Sequence, residues 1–192
     1  MKLTLLLGLV VGLTAYSGGG AETNALKSEL RTEFFKTATG EEFCLELPSG
    51  WKAENDLSAG SAISTLRLIN SDGTSLLLIS VVPVPSGVAI DSPEDLEQML
   101  IKGTPNTPNA TEPRKLNVIP FQSRYGFGLY ASSLDTRYAT ETPPKGHFRF
   151  STTFVLNCQS NAVTATFLSN EEPVDSVDLA VMLLKNLRKK AS

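Results

Sequence analysis

The clearest pattern in the chain is a pair of apolar stretches that alternate with polar positions and meet at a tight turn. Residues 64–69 and 74–82 have the composition of strands, and Asp72-Gly73 between them is a strong hairpin signal. The run Leu76-Leu77-Leu78-Ile79 is apolar on both faces. This is typical of a central strand that is covered on both sides.

Further stretches also alternate between apolar and polar residues, and one of them carries three phenylalanines on one face. In residues 148–156 the side chains of Phe148, Phe150 and Phe154 point the same way. A turn over 157–161 joins this strand to its hairpin partner. The additional strands are predicted over residues 42–47, 116–121, 125–132, 148–156 and 162–168.

Two segments have helical spacing instead. The first covers residues 93–103, where Ser92 can cap the helix and Pro93 suits its first turn. The second opens at Pro173 and is predicted to continue to about residue 189. Basic residues gather at its end, which is favourable beside the negative end of a helix dipole: Lys185, Arg188, Lys189 and Lys190.

Short turns between consecutive strands predict a largely antiparallel sheet. The helices come as one insertion and one terminal element, so the fold class is α+β, with about six to seven strands and helices packed on the sheet faces. The division along the chain is a signal peptide at 1–21, a linker or short helix at 22–32, and a single α+β domain at 33–190. No internal repeat is present.

The first twenty residues have the features of an export signal. Lys2 precedes an apolar stretch over residues 3–13 that is too short to span a bilayer, and small residues follow it. Cleavage is expected between residues 17 and 21. Residues 13–16 resemble a lipobox, but Tyr16 replaces the cysteine that carries the lipid, so no permanent membrane anchor is expected after cleavage. The predicted location is periplasmic or extracellular.

Composition narrows the choice of partner. The chain has 192 residues, 41% hydrophobic and 19% charged, with a formal net charge of −3. A core of ordinary size is therefore expected, whereas nucleic-acid binding is not, because phosphates require a basic face. The expected partner is another protein.

The two cysteines leave two alternatives open. Cys44 and Cys158 fit an oxidising compartment and could form a disulfide that closes a long loop. Against pairing, Cys44 points away from the apolar face that carries Phe43 and Leu45, whereas Cys158 continues the apolar face of Phe154. The other alternative is two separate buried thiols.

Residues 40–51, Gly-Glu-Glu-Phe-Cys-Leu-Glu-Leu-Pro-Ser-Gly-Trp, resemble the entry hairpin of PsbP-like proteins, where such a strand ends in Pro-x-Gly-Trp. The order of the later hairpin and the terminal helix is similar as well. The resemblance implies an α/β/α sandwich and a small exported protein or lipoprotein that binds partner proteins, and it supplies no catalytic residues. By its size alone, Trp51 is expected to pack over the core.

Residues with catalytic potential are few. His147 is the only histidine and lies in a proline-rich loop, while Glu41 and Glu42 have no obvious partner carboxylate. One histidine and two separated cysteines do not supply the ligands of a structural zinc site, so no metal and no cofactor are predicted. The glycine-rich strand 125–130 either packs closely against a neighbour or leaves room for a ligand.

These observations predict a non-enzymatic exported protein that binds a partner protein, either as an accessory factor or as an immunity-type inhibitor of a secreted toxin. Two alternatives remain open. One is a small-ligand binding protein with a pocket beside residues 125–130. The other is a hydrolase that uses loop carboxylates, for which Glu41, Glu42 and His147 are the candidates.

Overall fold

The computed structural model describes residues 30–37, 39–56, 63–84, 90, 92–103, 116–158 and 161–190. The predicted signal peptide at 1–21 lies outside this part, as does all but the end of the predicted linker at 22–32. The cleavage site therefore stays a prediction.

The largest element is a seven-stranded antiparallel sheet. Its strands are β3 (Trp51–Asp56), β4 (Ser64–Asn70), β5 (Ser75–Pro83), β6 (Ile119–Ser123), β7 (Gly126–Leu134), β8 (Phe150–Cys158) and β9 (Asn161–Ser169). They lie in the order β3-β4-β5-β9-β8-β7-β6. The two hairpins predicted from the alternation, β4–β5 and β8–β9, lie next to each other at the centre of the sheet and pair through β5 and β9.

A second, three-stranded sheet brings distant parts of the chain together. β1 (Arg31–Lys36) pairs antiparallel with β2 (Glu42–Leu47), and β10 (Arg188–Lys189) pairs with the other edge of β2. We call this the small sheet. β1 begins at Arg31, so the end of the predicted linker is part of a strand.

The two helices lie on opposite faces of the large sheet. α1 (Pro93–Gly103) packs on β7 and β8, with Leu96 and Leu100 buried against Leu129 and Val155. α2 (Pro173–Asn186) lies on the other face together with the small sheet, and it contacts β2, β6, β8 and β9. The predicted antiparallel α+β arrangement with helices on its faces is confirmed. None of the described helices is long and apolar enough to cross a membrane.

The main core fills the space between the large sheet, the small sheet and α2. Trp51 belongs to it and is 7% exposed, which agrees with its predicted role as an anchor over the core. The fully buried side chains of this core with the largest volumes are Phe43, Leu45, Leu47, Leu66, Leu68, Leu77, Ile79, Phe154, Leu156 and Phe167.

Besides β1, two strands differ from the prediction. Residues 51–56 form β3, and the sequence prediction assigned no strand there. The predicted helix to residue 189 is too long, because α2 ends at Asn186 and Leu187 adopts an extended backbone with ψ 129°. Arg188 and Lys189 therefore form a strand and not a helix end, and their side chains meet carboxylates of β2 and of the residue before it rather than a helix dipole.

Candidate functional site

The outer face of the small sheet carries an unusual mixture of side chains. In β2 the apolar residues Phe43, Leu45 and Leu47 point into the main core, so Glu42, Cys44 and Glu46 point outwards. The predicted direction of Cys44, away from the core face, is confirmed. We define the outer face by Thr32, Phe34 and Lys36 of β1, Glu42, Cys44 and Glu46 of β2, and Arg188 and Lys190 at the C-terminal strand.

The centre of the outer face is apolar. Phe34 lies opposite Cys44, and Cys44 lies opposite Arg188 on the other side. The Phe34 side chain is 53% exposed, whereas the neighbouring Phe35 is buried in the core. Adjacent side chains in one strand point to opposite faces, so the Phe34 ring lies on the outer face, where it stays more than half exposed.

Charged side chains border this apolar centre, and two ion pairs form among them. Arg188 Nη2 lies 3.1 Å from Glu46 Oε1, and Lys190 Nζ lies 2.7 Å from Glu42 Oε2. The Lys190 ammonium also lies 5.3 Å from the centre of the Phe34 ring, within the range of a cation–π interaction. An exposed aromatic ring with a polar border is the arrangement found at protein–protein interfaces.

A second polar cluster joins the small sheet to the end of the β8–β9 hairpin. Lys189 forms an ion pair with Glu41, and Asn161 donates its side-chain amide to the other Glu41 oxygen at 2.8 Å. The hydrogen bond from Lys189 lowers the pKa of Glu41 below its ordinary value, against the opposing effect of partial burial. The Tyr125 hydroxyl accepts the Lys189 backbone N–H at 2.7 Å. This cluster holds β10 in place.

Replacing Glu41 by glutamine is expected to lower the free energy of unfolding at pH 7 by about 1 kcal/mol, because Lys189 loses its charged partner. Because the pKa of Glu41 is lowered in the folded state, the stabilisation by the Glu41–Lys189 pair is present above the ordinary value of 4.5. It is lost as the pH falls through the lower folded-state pKa. The difference between wild type and variant should therefore shrink at pH 3. Urea unfolding at both pH values measures it.

The matched control is Glu97→Gln, which removes the charge of an exposed carboxylate on α1. It should change the stability little at either pH. Equal effects of the two substitutions at pH 7 would contradict the role assigned to the Glu41–Lys189 pair.

Cys44 and Cys158 are both free thiols, so the disulfide alternative is wrong for this structure. The physical reason is their direction. Cys158 points into the main core, whereas Cys44 is on the outer face of the small sheet, so the core-facing side chains of β2 lie between them. The second alternative, two separate buried thiols, is what the structure contains.

The candidate catalytic residues do not come together. His147 is exposed, and its Nδ1 lies 3.2 Å from the Tyr138 hydroxyl, while Glu41 and Glu42 are tied to lysines at the small sheet. Neither glutamate faces a second carboxylate in these contacts. Among the described residues, no three His, Cys, Asp or Glu side chains come together in a group that could hold a metal ion.

The glycine-rich strand β7 packs closely and leaves no room at its central glycine. A side-chain atom added at Gly128 would lie 2.5 Å from the Phe121 ring, which already occupies this space. Tyr130, on the same face, packs against Phe121 and Phe154. The predicted ligand pocket beside residues 125–130 is therefore not present at Gly128. Tyr125 also lies in the turn before β7 and packs on the main core, not on the face of Phe127 as the alternation predicted.

Comparison with solved structures gives a likeness over most of the chain. The chain is similar to cyanobacterial PsbP (CyanoP) from Synechocystis sp. PCC 6803, with a TM-score of 0.49 and 11% identity over 91% of this chain and 98% of that one. The weak PsbP-like resemblance is confirmed. A protein from Bacteroides thetaiotaomicron VPI-5482 is also similar, with a TM-score of 0.41 and 12% identity over 78% of this chain and 46% of that one.

No family model matches the chain, and no curated protein matches it. At such low identities a likeness concerns the fold alone. The functional argument therefore depends on the surface of this chain.

Proposed function

We propose that the chain is an exported, non-enzymatic protein of the bacterial periplasm that binds a partner protein through the outer face of the small sheet. The chain acts either as an accessory factor of this partner or as an inhibitor of a partner that is a secreted toxin. The single observation that carries the binding proposal is Phe34, a large aromatic side chain that is 53% exposed in the middle row of this face, on the edge strand β1.

Two physical arguments support this face as the binding surface. Aromatic residues and arginine contribute most to protein–protein affinity, and Phe34 and Arg188 stand in the same row across the sheet. Arg188 and Lys190 are already paired with Glu46 and Glu42 within the chain. A partner can therefore cover Phe34 without isolating either of these two cations, which would be costly.

The export part of the proposal depends on residues 1–21, with cleavage between residues 17 and 21. The mass of the protein recovered from the periplasm or the medium of the native host tests it. A mass that corresponds to loss of the first 17 to 21 residues supports export, whereas an uncleaved chain in the cytosol would contradict it.

The binding proposal is tested by photo-crosslinking in the native host. A photoreactive phenylalanine analogue is placed at Phe34, and, as the matched control, at Ile101, which is 46% exposed on α1 at the other face of the large sheet. Irradiation is expected to give one discrete adduct from position 34 and none of the same mass from position 101. Mass spectrometry then identifies the partner.

The purified partner allows a quantitative check. Phe34→Ala is expected to weaken its binding by tenfold or more, since truncation of a central aromatic side chain typically costs about 2 kcal/mol. Ile101→Ala should leave the affinity within about twofold. The absence of any discrete adduct from position 34, or the same adduct from both positions, would count against the proposed surface.

A further inference from the structure

The outer edge of β1 is a long sheet edge without proline in the described part of the chain. The large sheet ends in β3 and β6, and the small sheet ends in β1 and β10. Exposed strand edges present unpaired backbone groups, and proteins usually shield them with prolines, bulges, short strands, charged side chains or covering groups.

The edges of β6 and β10 are shielded, and that of β3 is bonded at one end. β6 contains Pro120, which has no N–H to offer, and β10 is only two residues long. In β3 the Trp51 carbonyl accepts a hydrogen bond from the Arg31 guanidinium at 2.8 Å. Like β3, β1 pairs with its neighbour over six consecutive residues and contains no proline, but β1 also carries an exposed aromatic ring, Phe34, beside its edge.

The hydrogen bonds show which backbone groups of β1 face outwards. The Lys190 N–H donates to the Glu42 carbonyl, so the backbone of Glu42 faces β10, and that of Phe43 faces β1 by alternation. Phe43 lies opposite Phe35, whose backbone groups are therefore paired with β2. By the same alternation, the N–H and C=O groups of Thr32, Phe34 and Lys36 point to the free edge.

We propose that the partner adds an extended segment of its own chain to the outer edge of β1, which lengthens the small sheet to four strands. This inference rests on the proposed function and specifies how the partner binds. The backbone of such a segment pairs with the outward groups of Thr32, Phe34 and Lys36, and one of its apolar side chains packs against the Phe34 ring. The charges of Arg31, Glu33 and Lys36 discourage unselective pairing but leave these backbone groups open.

Amide hydrogen exchange of the isolated mature protein tests whether the outward backbone groups at this edge of β1 are unpaired. The amides of Glu33 and Phe35, which are bonded to β2, should exchange at least about tenfold more slowly than those of Thr32 and Phe34. Protection of Thr32 and Phe34 in dilute free protein would show that the chain's own residues occupy the edge. Protection that rises with protein concentration would show a second copy there. Either result would overturn the proposal.

The decisive experiment combines proline substitution with the photo-crosslinker at Phe34. Thr32→Pro removes an outward N–H and places a ring at the edge, but it leaves the β1–β2 hydrogen bonds intact. The matched control Thr32→Ala keeps the N–H. We expect the proline variant to reduce the adduct by about tenfold or more and the alanine variant to leave it within about twofold. Lys36→Pro serves as a second variant if the melting temperature shows that Thr32→Pro disturbs the fold.

The outcomes separate this proposal from the proposed function. A discrete adduct that survives both proline substitutions would show that a partner covers the outer face without strand addition, and it would overturn this inference alone. An adduct with twice the mass of the chain would make the occupant a second copy and would also overturn it. No adduct from any of the variants would reject the proposed surface itself.

Discussion

Replacing Phe154 by alanine is expected to lower the free energy of unfolding by about 3–5 kcal/mol. Phe154 is fully buried in β8, and its ring packs edge-to-face against Phe121 and beside Tyr130, with centroid distances of 6.1 Å and 5.3 Å. Alanine would leave a cavity between the centre of the large sheet and the layer above it, since neighbours at this depth can relax only partly. Urea unfolding at pH 7 measures the loss.

The chain offers its own control for this prediction. Phe34→Ala removes the same group of atoms from the outer face of the small sheet, where Phe34 is 53% exposed. Its stability should change by less than about 0.5 kcal/mol. Equal losses from the two substitutions would contradict the assignment of Phe154 to the core and of Phe34 to the surface.

Alkylation of the Cys158 thiol in the folded protein is expected to be at least about a thousandfold slower at pH 8 than in the unfolded chain. Burial raises the pKa of Cys158 from 9.0 to about 12, so the reactive thiolate becomes rarer by about that factor. Exclusion of the reagent from the core slows the reaction further. Timed labelling with iodoacetamide, followed by mass spectrometry of the peptide, measures both rates.

The variant Cys44→Ala isolates Cys158 for this measurement, and Cys158→Ala isolates Cys44. Unfolded protein that has not been reduced should yield two thiols per chain. A protein that yields none would contain a disulfide and would contradict the separate positions of the two side chains.

The elements that were predicted well are those whose sequence signals lie within one short segment of the chain. The hairpins around Asp72-Gly73 and between β8 and β9 combine alternating side chains with a short connection, and α1 carries its own start signals at Ser92 and Pro93. Such signals act within a few residues of one another and can be read without knowledge of the fold.

The strands that were not predicted have weak or misleading local patterns. β3 has the sequence Trp-Lys-Ala-Glu-Asn-Asp, in which only Trp51 and Ala53 are apolar, so its apolar pattern is too weak to indicate a strand. Its formation follows from pairing with β4. Similarly, Leu187–Lys189 would suit a helix end. They leave the helix because Arg188 and Lys189 meet Glu46 and Glu41, more than 140 residues earlier in the chain.

Only part of the candidate site could be predicted from the sequence. The outward direction of Cys44 was predicted, but the exposure of Phe34 was not recognised. The signal was present in the adjacent pair Phe34-Phe35, because two neighbouring side chains in a strand cannot both enter one core. Recognising it required knowing that residues 31–36 form a strand with nothing described above its outer face, which is a tertiary property.

The small sheet has a consequence for the order of assembly during synthesis. β1 and β2 are synthesised before the other strands, whereas the third strand of this sheet requires Arg188, 144 residues after its partner Cys44. Contacts so far apart in sequence form slowly, because a long loop must close first. A nascent chain therefore cannot complete this sheet until Arg188 has left the ribosome, so β2 lacks its second neighbour while all the residues between are synthesised.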